Sequence, residues 1–405
     1  MSETETLEAF FGLPNQVRFC RSCVISNQRP SSTVEFKHQK EEKKKTIGIA
    51  KDGICDACHY HLEKANRIDW KNREDQLVAT LDKFRRSDGR YDVIVPGSGG
   101  KDSAYTSHVL KYRYGMNPLT VTWAPHLYTD IGWKNFTNWI HEGGHDNILF
   151  TPNGRLHRLL TRLAFKNLLH PFQPFIIGQR IIGPAIAQKY GVELVMYGEN
   201  QAEYGNDPNE NFKPKMDSKF FSAQDPLDMM LGGVSVRDII RDYDYTISDF
   251  APYIPPNAES LEKSGVEVHY LGFYLPWDPQ ECYYYAVENT GFQANPERTP
   301  GTYSKYSSID DKIDMFHYFT TLIKFGIGRA TYDAAQEVRN GKITREEAAH
   351  LVHKYDQEFP QRHYADFLEY IGMTDAEFWE TVDQFRSPHL WQKSENGWAL
   401  RHVVE

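Results

Sequence analysis

The chain has 405 residues, 40% hydrophobic and 14% aromatic, enough for a sizeable core spread over about two or three domains. With 46 basic against 55 acidic residues its net charge is −9, which argues against a nucleic-acid partner, since such binders carry a basic face. No stretch approaches the roughly 18 apolar residues of a membrane span, and the acidic start Met1-Ser2-Glu3-Thr4-Glu5-Thr6 lacks the apolar region of a secretory signal, so a cytoplasmic place is expected.

The first elements are organised by cysteines. Cys20-Arg21-Ser22-Cys23 and Cys55-Asp56-Ala57-Cys58 each have the two-residue spacing that turns both thiolates toward one tetrahedral metal. Together they predict a four-thiolate structural zinc site. Paired disulfides do not suit a cytosolic chain. An iron–sulfur cluster would use the same ligands. The long stretch between the pairs predicts a hairpin, with strands at 34–36 and 46–49. The charge run 37–45 reads as its solvated tip. His59 and His61 are expected on the surface of the next helix, because four thiolates already close the site. A charged helix is expected over 62–84, so that residues 1–86 form an N-terminal zinc-binding region.

After the turn Ser87-Asp88-Gly89-Arg90, the chain alternates strand and helix. Strands are expected at 91–95, 118–123, 147–150, 192–197 and 268–275, and helices at 104–114, 131–141, 155–169 and 179–190. Such alternation predicts a doubly wound parallel sheet, with ligands at the carboxyl ends of its strands. This α/β domain is assigned to 87–278. Its stretch 201–256 is polar and rich in Asp, Asn and Pro, with one helical piece at 226–241. It reads as an insertion that forms a lid or an interface. A mostly helical region follows at 279–405.

Directly after the first strand comes Pro96-Gly97-Ser98-Gly99-Gly100-Lys101-Asp102-Ser103. Glycines bring the backbone close to phosphate oxygens, and a helix N-terminus offers free N–H groups and a positive dipole end. Ser98 and Ser103 add hydroxyl donors, and Lys101 adds neutralising charge. The run is not a Walker A loop, whose glycine spacing differs. It resembles the PP-loop, Ser-Gly-Gly-x-Asp-Ser, of ATP pyrophosphatases.

Glu199 and Asn200 follow the fourth strand and so face the same crevice. The carboxylate could hold Mg2+ or a substrate hydroxyl, and the amide could bind a carbonyl or phosphate. A turn with local capping would also explain them. In Lys324-Phe325-Gly326-Ile327-Gly328-Arg329, two glycines between basic residues could approach a polyphosphate or an anionic sugar nucleotide. A helix C-terminus whose basic residues complement the dipole is the alternative. The turn and Thr-x-x-Glu box at 340–347 read as structural. Cys282 stands in an aromatic helical stretch with no flanking glycines. It reads as a buried thiol, so a glutamine-hydrolysing nucleophile is not expected in this chain.

Taken together, these motifs resemble the N-acetyl sugar amidotransferases, the acetamidino-sugar synthases of bacterial surface-polysaccharide and flagellin-glycan pathways. The resemblance covers most of the chain. It rests on Cys20-x-x-Cys23 with Asn27-x-Arg29-Pro30, on Gly53-Ile54-Cys55-Asp56-Ala57-Cys58, on the Ser98 to Ser103 loop, on Gly198-Glu199-Asn200, and on Lys324 to Ala330 with the tail from Asp333 to Arg345. The insertion between the cysteine pairs departs from the family pattern.

The resemblance implies that ATP activates a sugar N-acetyl oxygen as an O-adenylate, which ammonia then displaces to leave an acetamidino group. The substrate would be an N-acetylated sugar nucleotide or a nonulosonic acid such as pseudaminic or legionaminic acid. Lys101, Asp102 and Glu199 become the catalytic residues. Ser98, Gly99, Gly100, Lys101, Asp102, Ser103, Asn200, Lys324 and Arg329 bind the nucleotide, with ATP, Mg2+ and Zn2+ as cofactors. Ammonia would come from a separate glutaminase with a cyclase-like partner. The main rival is a tRNA thiolase, which also joins cysteine knuckles to a PP-loop. It typically needs further cysteines near the ATP site or a basic tRNA face. A zinc-dependent scaffold would need a degraded loop, and this one is intact.

Overall fold

A computed structural model describes residues 7–31, 44–199, 201–205, 213–216, 225–395 and 397–405. The expected strand at 34–36, most of the 37–45 run, and Asn200 lie outside the described residues. The segment 46–49 makes isolated bridges, Thr46 with Pro30 and Ile49 with Cys55, in place of a hairpin strand.

The expected helix 62–84 is two helices, α1 (Asp56–Asn66) and α2 (Trp70–Phe84). The break comes at Asp69, whose carboxylate accepts from the Asn72 N–H and starts a new helix as its N-cap. Then follow β1 (Val93–Pro96), α3 (Lys101–His108) with a π-helical turn to Arg113, β2 (Pro118–Trp123), α4 (Asp130–His141), β3 (Asp146–Phe150), α5 (Gly154–Leu168), α6 (Gln173–Tyr190) and β4 (Leu194–Tyr197). The helical piece expected at 226–241 is mostly other structure. A 3-10 turn leads to the hairpin of β5 (Met230–Leu231) and β6 (Val234–Ser235), and only α7 (Val236–Asp242) is helical. Gly232-Gly233 makes the two-residue turn, a chemistry that overrides helical spacing.

After α8 (Ala258–Ser264), β7 (Glu267–Tyr270) is shorter than the expected strand. It gives way to the helical turn α9 (Leu271–Tyr274), where the Gly272 N–H turns to the Gly198 carbonyl at 2.8 Å. The remainder is α10 (Pro279–Thr290), α11 (Asp314–Phe325), α12 (Arg329–Arg339), α13 (Arg345–Tyr355), α14 (Tyr364–Ile371), α15 (Asp375–Gln384) and a closing hairpin, β8 (Trp391–Ser394) with β9 (Gly397–Leu400).

The main sheet is all parallel, in the order β3-β2-β1-β4-β7. The chain is thus a doubly wound α/β protein with a four-cysteine cluster near its N-terminus and a helical C-terminal region. Alternation along the strands sends side chains to both faces. Ile94, Leu119, Val195 and Val268 share one row of the sheet and pack with α5 and α6. Val93, Val95, Leu194 and Met196 face the other way, onto α2 and α9. Buried on both faces, β1 and β4 are apolar throughout, as a parallel sheet requires. The order reverses between β1 and β4, so the crevice lies at their carboxyl ends.

A separate cluster joins Cys20, Cys23, Cys55 and Cys58 to Ile327, Ala334, Ala335, Ala348 and Ala349. The cysteine region and the C-terminal helices therefore share a core.

Candidate active site at the switch point of the sheet

At the end of β1 the chain turns sharply under α3. The Gly97 N–H donates to the Val121 carbonyl at 2.9 Å, which fixes the loop to β2. A Cβ on Gly97 would lie 2.1 Å from that of Ser103, so only glycine lets the loop fold this tightly. Gly99 has φ +82° and passes α4 so closely that a Cβ would lie 2.8 Å from the Cα of Phe136. Gly100 is the N-cap of α3, and no side chain caps the helix. The first N–H groups of α3 therefore face the loop, a ready anion site.

Around this cradle stand charged groups. Lys101 Nζ and Asp102 Oδ2 are 2.5 Å apart, while Asp102 Oδ1 is buried without a hydrogen-bond partner. Burial opposes the charge on Lys101, but Asp102 and Glu199 hold its pKa above the ordinary value. Ser103 Oγ donates to the Gly100 carbonyl at 3.1 Å. Glu199 follows β4. Burial, then the Asp102 charge, push its pKa up to about 7, against the pull of Lys101, a hydrogen bond from Tyr204, and Arg329. Each of these groups lines one cavity of about 720 Å3. That size falls in the range of roughly 300–1,000 Å3 common for ligand pockets.

The basic residues expected at 324–329 part company. Arg329 reaches the cavity, with Nε 3.0 Å from Asp333 Oδ1 and its guanidinium 4.2 Å from the ring centre of Tyr318. Lys324 also lines the cavity, but it is almost wholly buried and its Nζ donates to the Leu168 carbonyl at 2.7 Å. Leu168 ends α5, so this ammonium caps that helix. A basic residue does complement a helix C-terminus here, though not the C-terminus of its own helix.

Three groups in the cavity were not singled out from the sequence as site residues. Asp310 accepts a hydrogen bond from Ser98 of the loop. It is held there by Asp311, which accepts from His126 Nδ1 and the His126 N–H, each at 2.7 Å, and from the Ile313 N–H at 2.9 Å. Asp314 begins α11. Burial pushes its pKa up to about 6, against Arg329. Arg29, buried beside the cysteine region, sets its guanidinium 6.0 and 5.8 Å from the ring centres of Tyr204 and Tyr332. In the sequence, Arg29 is marked by the Asn-x-Arg-Pro run and Asp310 stands in a stretch, 302–312, rich in hydroxyls and charge, while nothing local marks Asp314.

The four cysteines are all buried, with sulfurs within 4.8 Å of one another. Cys20 to Cys58 is 3.9 Å and Cys23 to Cys55 is 3.8 Å. Metal–sulfur bonds of about 2.3 Å at tetrahedral angles give nearly this spacing, and a disulfide, at about 2.05 Å, does not. The Cys55 N–H points at Cys20 Sγ from 3.3 Å, a donor that would stabilise a thiolate. The set suits a tetrahedral metal ion. Cys282 is buried on α10. Burial, then the Asp102 charge, hold its thiol pKa well above the ordinary value.

Residues 300–404 match the family model of the LPS biosynthesis protein WbpG-like, C-terminal domain. No curated protein matches the chain. Among solved structures, it is similar to the NH3-dependent NAD synthetase of Campylobacter jejuni in complex with the nitrate ion, with 14% identity and TM-score 0.27 over 34% of this chain. The match spans 59% of that synthetase. The NMN synthetase of Francisella tularensis is 13% identical, with TM-score 0.30 over 74% of this chain and 96% of its own. The U34-tRNA thiolase NcsA of Methanococcus maripaludis, with its 4Fe-4S cluster, is 14% identical, with TM-score 0.31 over 79% and 89%.

The WbpG-like region supplies Asp310, Asp314, Lys324 and Arg329 to the cavity. It closes the crevice that the sheet opens. Among the described residues, no helix is long and apolar enough to cross a membrane.

Proposed function

We propose that this protein is an ATP-dependent, AMP- and pyrophosphate-forming amidotransferase. It would convert the N-acetyl group of a sugar to an acetamidino group in bacterial surface-polysaccharide or nonulosonic-acid biosynthesis. One observation carries the reading: the glycine cradle, the Lys101–Asp102 pair and Glu199 meet in a single cavity that a WbpG-like region closes.

The cradle and the open N-terminus of α3 suit the phosphates of ATP; the Ser98 and Ser103 hydroxyls, which here donate to Asp310 and to the Gly100 carbonyl, would turn to the phosphates on binding. Lys101 neutralises charge on the departing pyrophosphate. The unpartnered Oδ1 of Asp102 and the carboxylate of Glu199 would hold Mg2+, which supplies charge neutralisation at the phosphates. An amide oxygen is a very poor leaving group. Once it has attacked the α-phosphorus and expelled pyrophosphate, it leaves as AMP. Ammonia then bonds to the amide carbon, the C–O bond to AMP breaks, and the surplus proton passes to a carboxylate of the cavity. Arg329 is placed for the anionic part of the sugar substrate.

The thiolate set fits zinc in a structural role. The reaction would run in the cytoplasm, with ammonia from a separate glutaminase and a cyclase-like partner, because the one remaining cysteine is buried.

Mass spectrometry tests the reading. Protein is incubated with ATP, Mg2+, ammonium and a panel of N-acetylated sugar nucleotides and nonulosonic acids. Replacement of one oxygen by NH in a sugar, in step with AMP, is the expected result. No change in any sugar, with AMP formed only on adding tRNA and a sulfur donor, would replace the reading with a thiolase.

A further inference from the structure

Lys64 lies near the C-terminal end of α1, yet it is almost fully buried. Its ammonium donates to Glu203 Oε1 at 2.7 Å and to the Trp277 carbonyl at 2.6 Å. The ion pair is 9% and 4% exposed on its two sides, so neither charge is solvated and each needs the other.

Both partners of Lys64 bear on Glu199. Tyr204, next to Glu203, donates a hydrogen bond to the Glu199 carboxylate. Trp277 packs on Gly198, where a Cβ would lie 2.6 Å from the indole, so its ring forms the floor under the residue before Glu199. A second tie comes from Arg339 on α12, which donates to the Glu203 carbonyl at 3.1 Å.

The other end of α1 is fixed by the cysteines. Cys55 is its N-cap and Cys58 stands in its first turn. A helix is stiff along its axis, so whatever fixes Cys55 and Cys58 also fixes Lys64, about 1.5 Å of rise per residue further on.

We propose that Lys64 is a positioning residue that ties the four-cysteine lobe to the segment carrying Tyr204, and through Tyr204 orients Glu199. The four-cysteine site then serves turnover as well as folding. The part about turnover rests on the role of Glu199 proposed above, and the mechanical tie does not.

The test uses the full-length protein and two variants, Lys64→Met and the double replacement Lys64→Met with Glu203→Leu. The double variant leaves no unpaired buried charge and keeps the test open if the single variant fails to fold. Hydrogen exchange is followed in the peptide carrying Glu203 and Tyr204 and in the peptide carrying Gly97 to Ser103. Metal content, kcat and the KM for ATP are measured alongside.

Exchange at Glu203–Tyr204 should accelerate at least tenfold, with the loop peptide, the metal content and the KM for ATP unchanged within about twofold. In both variants kcat should fall at least tenfold, and Tyr204→Phe should lower it the same way, because Glu199 is no longer held in place. Unchanged exchange at Glu203–Tyr204 in a folded variant overturns the proposal. If exchange rises as expected but Glu199→Gln keeps full turnover, the tie stands and the role given to Glu199 falls.

Discussion

A methyl group added at Gly97 would meet the side chain of Ser103, and Ser103 cannot retreat without unwinding the first turn of α3. Gly97→Ala should therefore lower AMP formation by about two orders of magnitude or more and lower the thermal midpoint by a few degrees, while far-ultraviolet circular dichroism changes little; near-normal AMP formation would show that the loop does not hold phosphate at this contact. At Glu199 the question is electrostatic. Its pKa is raised to about 7, chiefly by burial, against about 4.3 in an unfolded chain. The folded state binds that proton more tightly, so the stability it gains is present below about pH 4 and is lost as pH rises through about 7. His145 and His389, held down to about 4 by burial, run the opposite way over part of this window, so the wild-type curve alone would mislead. Glu199→Gln isolates the effect. Relative to wild type it should gain on the order of 1–3 kcal/mol between about pH 5 and 7.5 in urea titrations, and a flat difference would place Glu199 in water.

Among the elements, the helix starts behave as local chemistry dictates. Thr344 caps α13 by accepting from the Glu347 N–H at 3.2 Å, and Glu347 accepts in return from the Thr344 N–H at 2.8 Å. Thr344→Ala should cost about 1 kcal/mol in denaturant unfolding and leave turnover untouched, since this cap lies away from the cavity. A loss of activity at constant stability would give that turn a role it does not show. The two helices that stand where one was expected follow from the same logic. Asp69 is an N-cap in its sequence, and helical periodicity on both sides hid it. The Gly232-Gly233 hairpin was hidden in the same way inside a span whose apolar residues could pass for helical spacing.

At the scale of the whole molecule, the regions are not independent. The cysteine cluster packs on α12 and α13, and residues beyond 300 place Asp310 on the glycine loop through its bond to Ser98. A chain cut before residue 300 would strip the alanine faces of α12 and α13 from the cysteine cluster and leave His126 without Asp311. Such a fragment should be aggregated or molten, with loss of near-ultraviolet circular dichroism and no measurable ATP binding. A well-folded fragment that binds ATP would show that the WbpG-like region is an accessory to the site.

What the sequence by itself determined is local in its physics. Apolar β-branched runs announced β1, β2 and β4. The glycine–serine loop follows from the needs of a tight turn at a helix N-terminus, and cysteine spacing alone sets two thiolates on one knuckle. Each of these signals spans a few neighbouring residues, so one chain read in order is enough to see it. The tertiary structure decided what depends on contacts between distant residues. It tied the Lys324 ammonium to the end of α5, set Asp310, Asp314 and Arg29 around the cavity, and joined Lys64 to Glu203 across 139 positions. Burial raised the pKa of Glu199, and burial is a property of packing that no short stretch of sequence carries.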